Sequence, residues 1–303
     1  MRNISCIMRL IVWHGMNRLY QFYQLAAMLI FGTIPLFVRS AGVSSALLAL
    51  LRTMIGACVL GLVLLGKHRH ISIEKGQGKY LLLSALFLGC NWVFLFESYH
   101  HTSVSNATIA YYTAPILIMV LSAVLFHIRL RKKDLGCLGL TMLGLILITF
   151  QNGDQNISGI LFGLLAAMGY AGVVLTNRMI HMESIGFTFI QLGIAALLLF
   201  PYVLSKGELT QLTTLTMSQL PSILILGIVH TGIAYLLYFA SIAKLPPTRV
   251  AIFSYLDPCT AIVLSIFVLQ EPSSRMQIIG IIMIFMGIFL SSYHAKGSEQ
   301  DVL

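Results

Sequence analysis

A chain of 303 residues that is 58% hydrophobic and only 10% charged cannot clothe a water-soluble body, whose residues are about 25% charged. A formal net charge of +9 would suggest nucleic acid in a soluble protein, but here the basic residues fall between apolar runs, and no nucleic-acid partner is expected. Cys6, Cys58, Cys90, Cys137 and Cys259 are scattered without a CxxC pair, which argues against a disulfide framework or a metal site.

The first residues, Met1 to Arg18, hold a short apolar run interrupted by Arg9, with no small-residue cleavage site, so no signal peptide is read there. A membrane span needs about 20 mostly apolar residues. Ten runs follow that meet this need, at 20–38, 44–66, 79–99, 105–126, 135–151, 158–177, 185–204, 219–243, 248–269 and 276–293. Each is expected to be helical, because in hydrocarbon every backbone amide must be satisfied within its own segment. With the N-terminus inside, the inner segments hold 15 Lys or Arg residues and the outer loops only Arg39, Lys206 and Arg275. That asymmetry is the positive-inside pattern. It predicts a multi-pass protein of the cell membrane, embedded in the lipid bilayer, with both termini cytoplasmic and an even number of spans.

The chain repeats itself. An offset of 143 residues aligns 88–150 with 231–293 without a gap. Pro115 falls on Pro258, Gly89 on Gly232, Phe96 on Phe239, Ser98 on Ser241, Tyr112 on Tyr255 and Gly144 on Gly287. The expected fold is an all-α membrane protein of ten transmembrane helices, with repeat 1 over 20–150 and repeat 2 over 158–293. Five spans per copy is an odd number, so the second copy is expected to be inverted. Inverted repeats point to transporters that alternate access around a midplane site.

With these features the chain resembles the drug/metabolite transporter superfamily, in its EamA branch. The second half carries Tyr238-Phe-Ala-Ser, Leu245-Pro246, Tyr255-Leu-Asp-Pro258 and Leu269-Gln-Glu271. The first half carries Phe96-Glu-Ser, Thr102-Ser103 and Tyr112-Thr-Ala-Pro115, and departs from the family at Ile128, where a glutamate is expected. Arg52 matches the arginine that the family has early in its second span. The resemblance spans residues 20–293 and implies ten helices, two EamA repeats and a permease function.

Ionisable groups at bilayer depth cost about 2.5–3.5 kcal/mol on insertion scales and are usually paired or functional. Arg52 and Asp257 stand out, and Glu97 lies near the outer end of its span. Asp257 precedes Pro258, whose missing N–H leaves a carbonyl free one turn earlier, near Ser254. Pro115 does the same near Tyr111. Two such breaks would place Tyr111, Tyr112, Ser254 and Tyr255 around a central cavity, with Trp92, Tyr235 and Tyr238 as further lining. Within it Arg52 and Asp257 could form the two poles of a site for a zwitterion such as an amino acid. His230 reads either as a helix-contact residue or as a coupling or gate group, and Glu271, at a span end, as a capping, gate or substrate contact. A stripe of Gly159, Gly163, Ala167 and Ala171 lets another helix approach closely. It reads as packing within the chain, with a homodimer contact as the alternative.

The expected function is a secondary transporter, not an enzyme, that exports a small amino-acid-like or amphipathic substrate. No Walker A, HExxH or GxSxG motif is present, and no cofactor is expected. An intramembrane enzyme and a non-transporting membrane protein are the alternatives.

Overall fold

The apolar runs fold as helices that are shorter and more often interrupted than their hydropathy suggests. The computed structural model describes residues 18–66, 71, 73, 74, 76–102, 107, 110–127, 130–149, 156–268 and 275–300, and no strand occurs among them. In chain order the helices are α1 (18–32), α2 (Ile34–Ala41), α3 (Ser45–Gly66), α4 (Gly78–His101), α5 (Ala114–Leu125), α6 (Lys132–Thr149), α7 (Ile157–Asn177) and α8 (Ser184–Ser205). A 3₁₀ segment, Glu208–Thr214, leads into α9 (Leu220–Gly227), a π-turn (Ile228–Ile233), α10 (Ala234–Ile242), α11 (Pro247–Phe253), α12 (Leu256–Phe267) and α13 (Arg275–Gln300).

Among the described residues, six helical stretches are long and apolar enough to cross a membrane: Arg18–Val38, Ser45–Gly66, Gly78–His101, Ile157–Asn177, Ser184–Ser205 and Leu220–Ile242. Ala114–Leu125 and Ile278–Leu290 are apolar but shorter. Residue chemistry explains the shortfall. Pro115 sits in the first turn of α5, where its missing N–H is harmless, and so marks where the helix starts. The run 248–269 is divided at Ser254 and Tyr255, one turn before Pro258. α6 opens on Lys132, Lys133 and Asp134. The run 20–38 is also broken, at Thr33, because a proline again opens the following helix.

Described linker residues meet at two ends of the bundle. At one end the Ser44 hydroxyl donates to Glu208 Oε2 at 2.7 Å and the Ser44 amide to Gln211 Oε1 at 2.9 Å. Close to the same end, Glu97 Oε1 meets Lys206 Nζ at 2.7 Å and accepts from the Tyr202 hydroxyl at 2.7 Å. Glu97 is thus held by a surface cluster. At the other end the His181 amide donates to Gln77 Oε1 at 3.1 Å, and Arg178 donates to the carbonyls of Ile242 and Leu245, which close α10.

Helix pairs from the two halves make the core. α3 packs on α8, α5 on α11, and α6 on α13. In the last pair the repeat mates Gly144 and Gly287 each admit the opposing helix. A Cβ on Gly144 would stand 2.6 Å from the Gly280 carbonyl oxygen, and one on Gly287 would stand 2.5 Å from Thr141 Cγ2. Gly144→Ala is therefore expected to destabilise the protein by about 1–3 kcal/mol, read as a lower thermal unfolding midpoint in detergent. Gly136→Ala, with nothing within 4 Å of its added Cβ, should leave that midpoint unchanged. The stripe on α7 is likewise occupied within the chain. Gly159 lies against Thr102 and Gly163 against Ala110, and Ala167 and Ala171 are fully buried.

Candidate functional site

Two helix breaks face each other near the middle of the bundle. Tyr112 and Thr113 form the turn before α5, and Ser254 and Tyr255 the turn before α12. Local hydroxyls at these turns bond to carbonyls of the preceding turn, which also accept backbone amides. The Thr113 side chain donates to the Ala110 carbonyl at 2.7 Å and Ser254 to the Val250 carbonyl at 2.8 Å. Between the breaks lies a cavity of about 150 Å³.

Of the residues singled out from sequence, Arg52, Trp92, Tyr111, Tyr112, Pro115, Tyr235, Ser254 and Asp257 all line this cavity, joined by Tyr238. Asp257 lies in the first turn of α12, where a helix N-terminus favours an acidic group. Its Oδ2 accepts from the Tyr112 hydroxyl at 2.9 Å. Arg52 reaches in from α3, and its Nε donates to Thr231 Oγ1 at 2.8 Å. Each charge-bearing side chain is thus held by a neutral hydroxyl rather than by the other, which leaves both oriented toward a shared space.

Aromatic rings form most of the wall. Trp92 meets Tyr235 edge-on with centroids 5.9 Å apart, and Phe31 leans on Tyr235 at 5.1 Å. Tyr111 contacts Tyr112 at 5.5 Å and Tyr170 at 5.9 Å. Tyr170 stacks on Tyr238 with centroids 6.1 Å apart and an interplanar angle of 10°, and their hydroxyls are hydrogen-bonded. Such a wall offers apolar faces and a few polar edges, a composition suited to an amphipathic ligand.

The geometry places three further residues outside the lining. Tyr255 does not line the cavity. It is fully buried behind Tyr112, with its ring stacked on that residue at 6.3 Å and its hydroxyl donating to the Tyr112 carbonyl at 3.1 Å. Pro258 lies one turn beyond the break and is not in the lining. His230 is also outside it, buried to 2% exposure, with Nε2 2.7 Å from Thr33 Oγ1 and its ring 5.2 Å from Phe37. Glu271 lies outside the described residues.

The lining also includes Met28, Phe31, Ile34, Ala114 and Tyr170, which sequence reasoning did not select. A larger recess of about 770 Å³ opens at the basic end, where Tyr20, Tyr23, Arg178, His181, Glu183 and Lys244 line it together with apolar residues of α3 and α10. Along α1 the turn between the two spaces carries Gln24 and Ala27, both fully buried, and Gln24 Oε1 accepts from the Ser241 hydroxyl at 2.5 Å. The central cavity, not the larger recess, gathers the breaks and the paired charges.

Bilayer-length apolar helices wrapped around such a cavity are the build of a multi-pass membrane transporter. The model of the EamA-like transporter family matches the chain twice, over residues 18–150 and 157–293, and the chain belongs to that family. It is 31% identical over 282 residues to the uncharacterized transporter YxxF of Bacillus subtilis, covering 90% of this chain and 89% of that one. It is 29% identical over 187 residues to a probable amino-acid metabolite efflux pump of Salmonella typhimurium, covering 58% and 62%. A solved crystal structure shares the fold with a TM-score of 0.74 at 18% identity, over 90% of this chain and 98% of the other.

Proposed function

We propose that the protein is a secondary transporter that exports a small zwitterionic metabolite of the amino-acid class by alternating access. In this reading it has ten spans in two inverted repeats and sits in the cell membrane with both termini cytoplasmic. The observation that carries the proposal is one cavity holding a guanidinium, a carboxyl group and an aromatic wall. A zwitterion would set its carboxylate on Arg52, its ammonium on Asp257 and its side chain among the rings. The name of the Salmonella relative, an amino-acid metabolite efflux pump, agrees with that chemistry.

Repeat mates meet at this cavity, which supports the inverted arrangement. Trp92 and Tyr235, Tyr111 and Ser254, and Ala114 and Asp257 are related by the 143-residue offset, and all six residues line it. A site on the axis that relates two halves is the place where rocking of one half against the other exposes it alternately to each side. The Gln24–Ser241 layer would then be a closed seal toward the basic, cytoplasmic end.

Efflux from proteoliposomes tests the reading with L-phenylalanine, L-leucine, phenethylamine and 3-phenylpropionate as probes. Both amino acids should leave faster than from protein-free vesicles. The two analogues, each lacking one charge, should leave no faster than that background. Equal flux of phenethylamine and L-phenylalanine, or no flux of any probe, would overturn it.

A further inference from the structure

The stretch Leu220–Ile242 contains a feature that its repeat mate lacks. Residues Ile228–Ile233 form a π-turn, whereas residues 85–90, their mates at the 143-residue offset, continue as regular α-helix within α4. The fold therefore does not require the extra residue. π-Turns inside helices are rare and concentrate at functional sites. This one presents two adjacent side chains to two different partners.

Thr231 Oγ1 donates to the Leu226 carbonyl, five residues back, at 2.9 Å. With its proton committed there, the hydroxyl can only accept from Arg52 Nε, at 2.8 Å. Gly56, one turn beyond Arg52 on α3, makes the approach close enough, since a Cβ there would lie 3.0 Å from Thr231 Cγ2 and 3.3 Å from the Gly227 carbonyl oxygen. Next to Thr231, His230 Nδ1 lies 3.3 Å from the Ile225 carbonyl oxygen, and Nε2 lies 2.7 Å from Thr33 Oγ1. Thr33 is the residue at which the stretch Arg18–Val38 breaks, and its hydroxyl donates to the Ile30 carbonyl at 2.7 Å. With that proton spent, the Thr33 hydroxyl can only accept, so the tie runs from a proton on His230 Nε2 to Thr33 Oγ1.

We propose that the π-turn is a coupling element, in which Thr231 positions the Arg52 guanidinium and His230 fastens the same turn to the break at Thr33 between α1 and α2, so that the two move together. Thr231 and His230 are thus positioning residues. The consequence for transport rests on the reading of Arg52 as the partner of the substrate carboxylate. A ligand that draws Arg52 toward the cavity would pull on Thr231 and, through the turn, shift the bend at Thr33. Two elements of the cavity wall, α1–α2 and α3, would then respond to one binding event.

Hydrogen exchange of the full-length protein in nanodiscs tests this without any ligand. Thr231→Val is expected to raise exchange at residues 31–37 by about three-fold or more, although Thr231 itself touches none of them in the hydrogen bonds described above. Thr231→Ser should leave exchange at wild-type values, because the serine hydroxyl preserves both contacts. Arg52→Ala, acting from α3, should produce the same change in residues 31–37 as Thr231→Val. In a His230→Ala background, where the tie is already cut, Thr231→Val should add nothing further. Unchanged exchange at 31–37 in both Thr231→Val and Arg52→Ala, equal effects of valine and serine, or additive effects in the double variant would each overturn the proposal. The liposome panel is independent. Its failure with intact coupling removes the substrate reading alone, and failed coupling with intact flux removes this proposal alone.

Discussion

Asp257→Asn is expected to lower the efflux rate of L-phenylalanine from proteoliposomes by about 10- to 150-fold, the equivalent of losing one charge-assisted hydrogen bond of about 1.5–3 kcal/mol. The substitution keeps the shape of the side chain, and its carbonyl oxygen can still accept from the Tyr112 hydroxyl that now reaches Oδ2 at 2.9 Å. The fold should therefore survive, with a thermal unfolding midpoint within a few degrees of wild type. What disappears is the anionic pole that an ammonium would meet. Tyr112→Phe separates the two contributions, since it leaves the carboxyl group in place and removes only the hydroxyl that aims it. Its effect should be smaller and should appear mainly as a higher half-saturation concentration. Full-rate efflux by Asp257→Asn would remove the carboxyl group from the substrate site.

Much of this site was legible because it is built by chemistry that has a sequence signature. A proline near the middle of an apolar run removes a helical hydrogen bond, so Pro115 and Pro258 located the two turns. A carboxylate and an arginine inside spans have few reasons to be there other than pairing or function, and Arg52 and Asp257 do share a cavity. Trp92 and Tyr235, both expected in the lining, touch in space.

The remainder lacked such signatures. Tyr112 and Tyr255 are equivalent in the repeat, yet one faces the cavity and the other lies buried behind it. Other mates, such as Trp92 and Tyr235, share the lining, and the alignment does not say which pairs do and which are split. Tyr170 stands on α7 beside the small-residue stripe, and its contacts with Tyr238 and Tyr111 make it part of the wall. Tertiary contact of that kind has no local pattern. The π-turn is hidden for a different reason. It changes the helical register without changing composition, and its single trace is the length of the run 219–243 compared with its mate at 79–99. The break at Thr33 did carry a signal, the proline two residues on, but the run is hydrophobic enough throughout to read as one span.

Arg52→Ala should be the more damaging of the two charge removals, with flux falling about 100-fold or more. A guanidinium can offer a carboxylate two parallel donors while a third, Nε, remains on a protein acceptor. Here that acceptor is Thr231, whose own proton is spent on the Leu226 carbonyl. Arg52→Lys retains the charge but has no planar fork and cannot serve both partners at once. It should recover only part of the loss, through a raised half-saturation concentration. The same asymmetry forecasts the outcome of exchanging the two charges. In the double variant Arg52→Asp with Asp257→Arg, a carboxylate would face an oxygen that has no proton to give, and the cavity would hold both charges in sockets made for their opposites. A simple electrostatic pair would tolerate the exchange and return measurable flux. A site in which each charge is oriented by a hydroxyl of fixed direction should not, and efflux indistinguishable from protein-free vesicles, with the variant still folded, is the result expected.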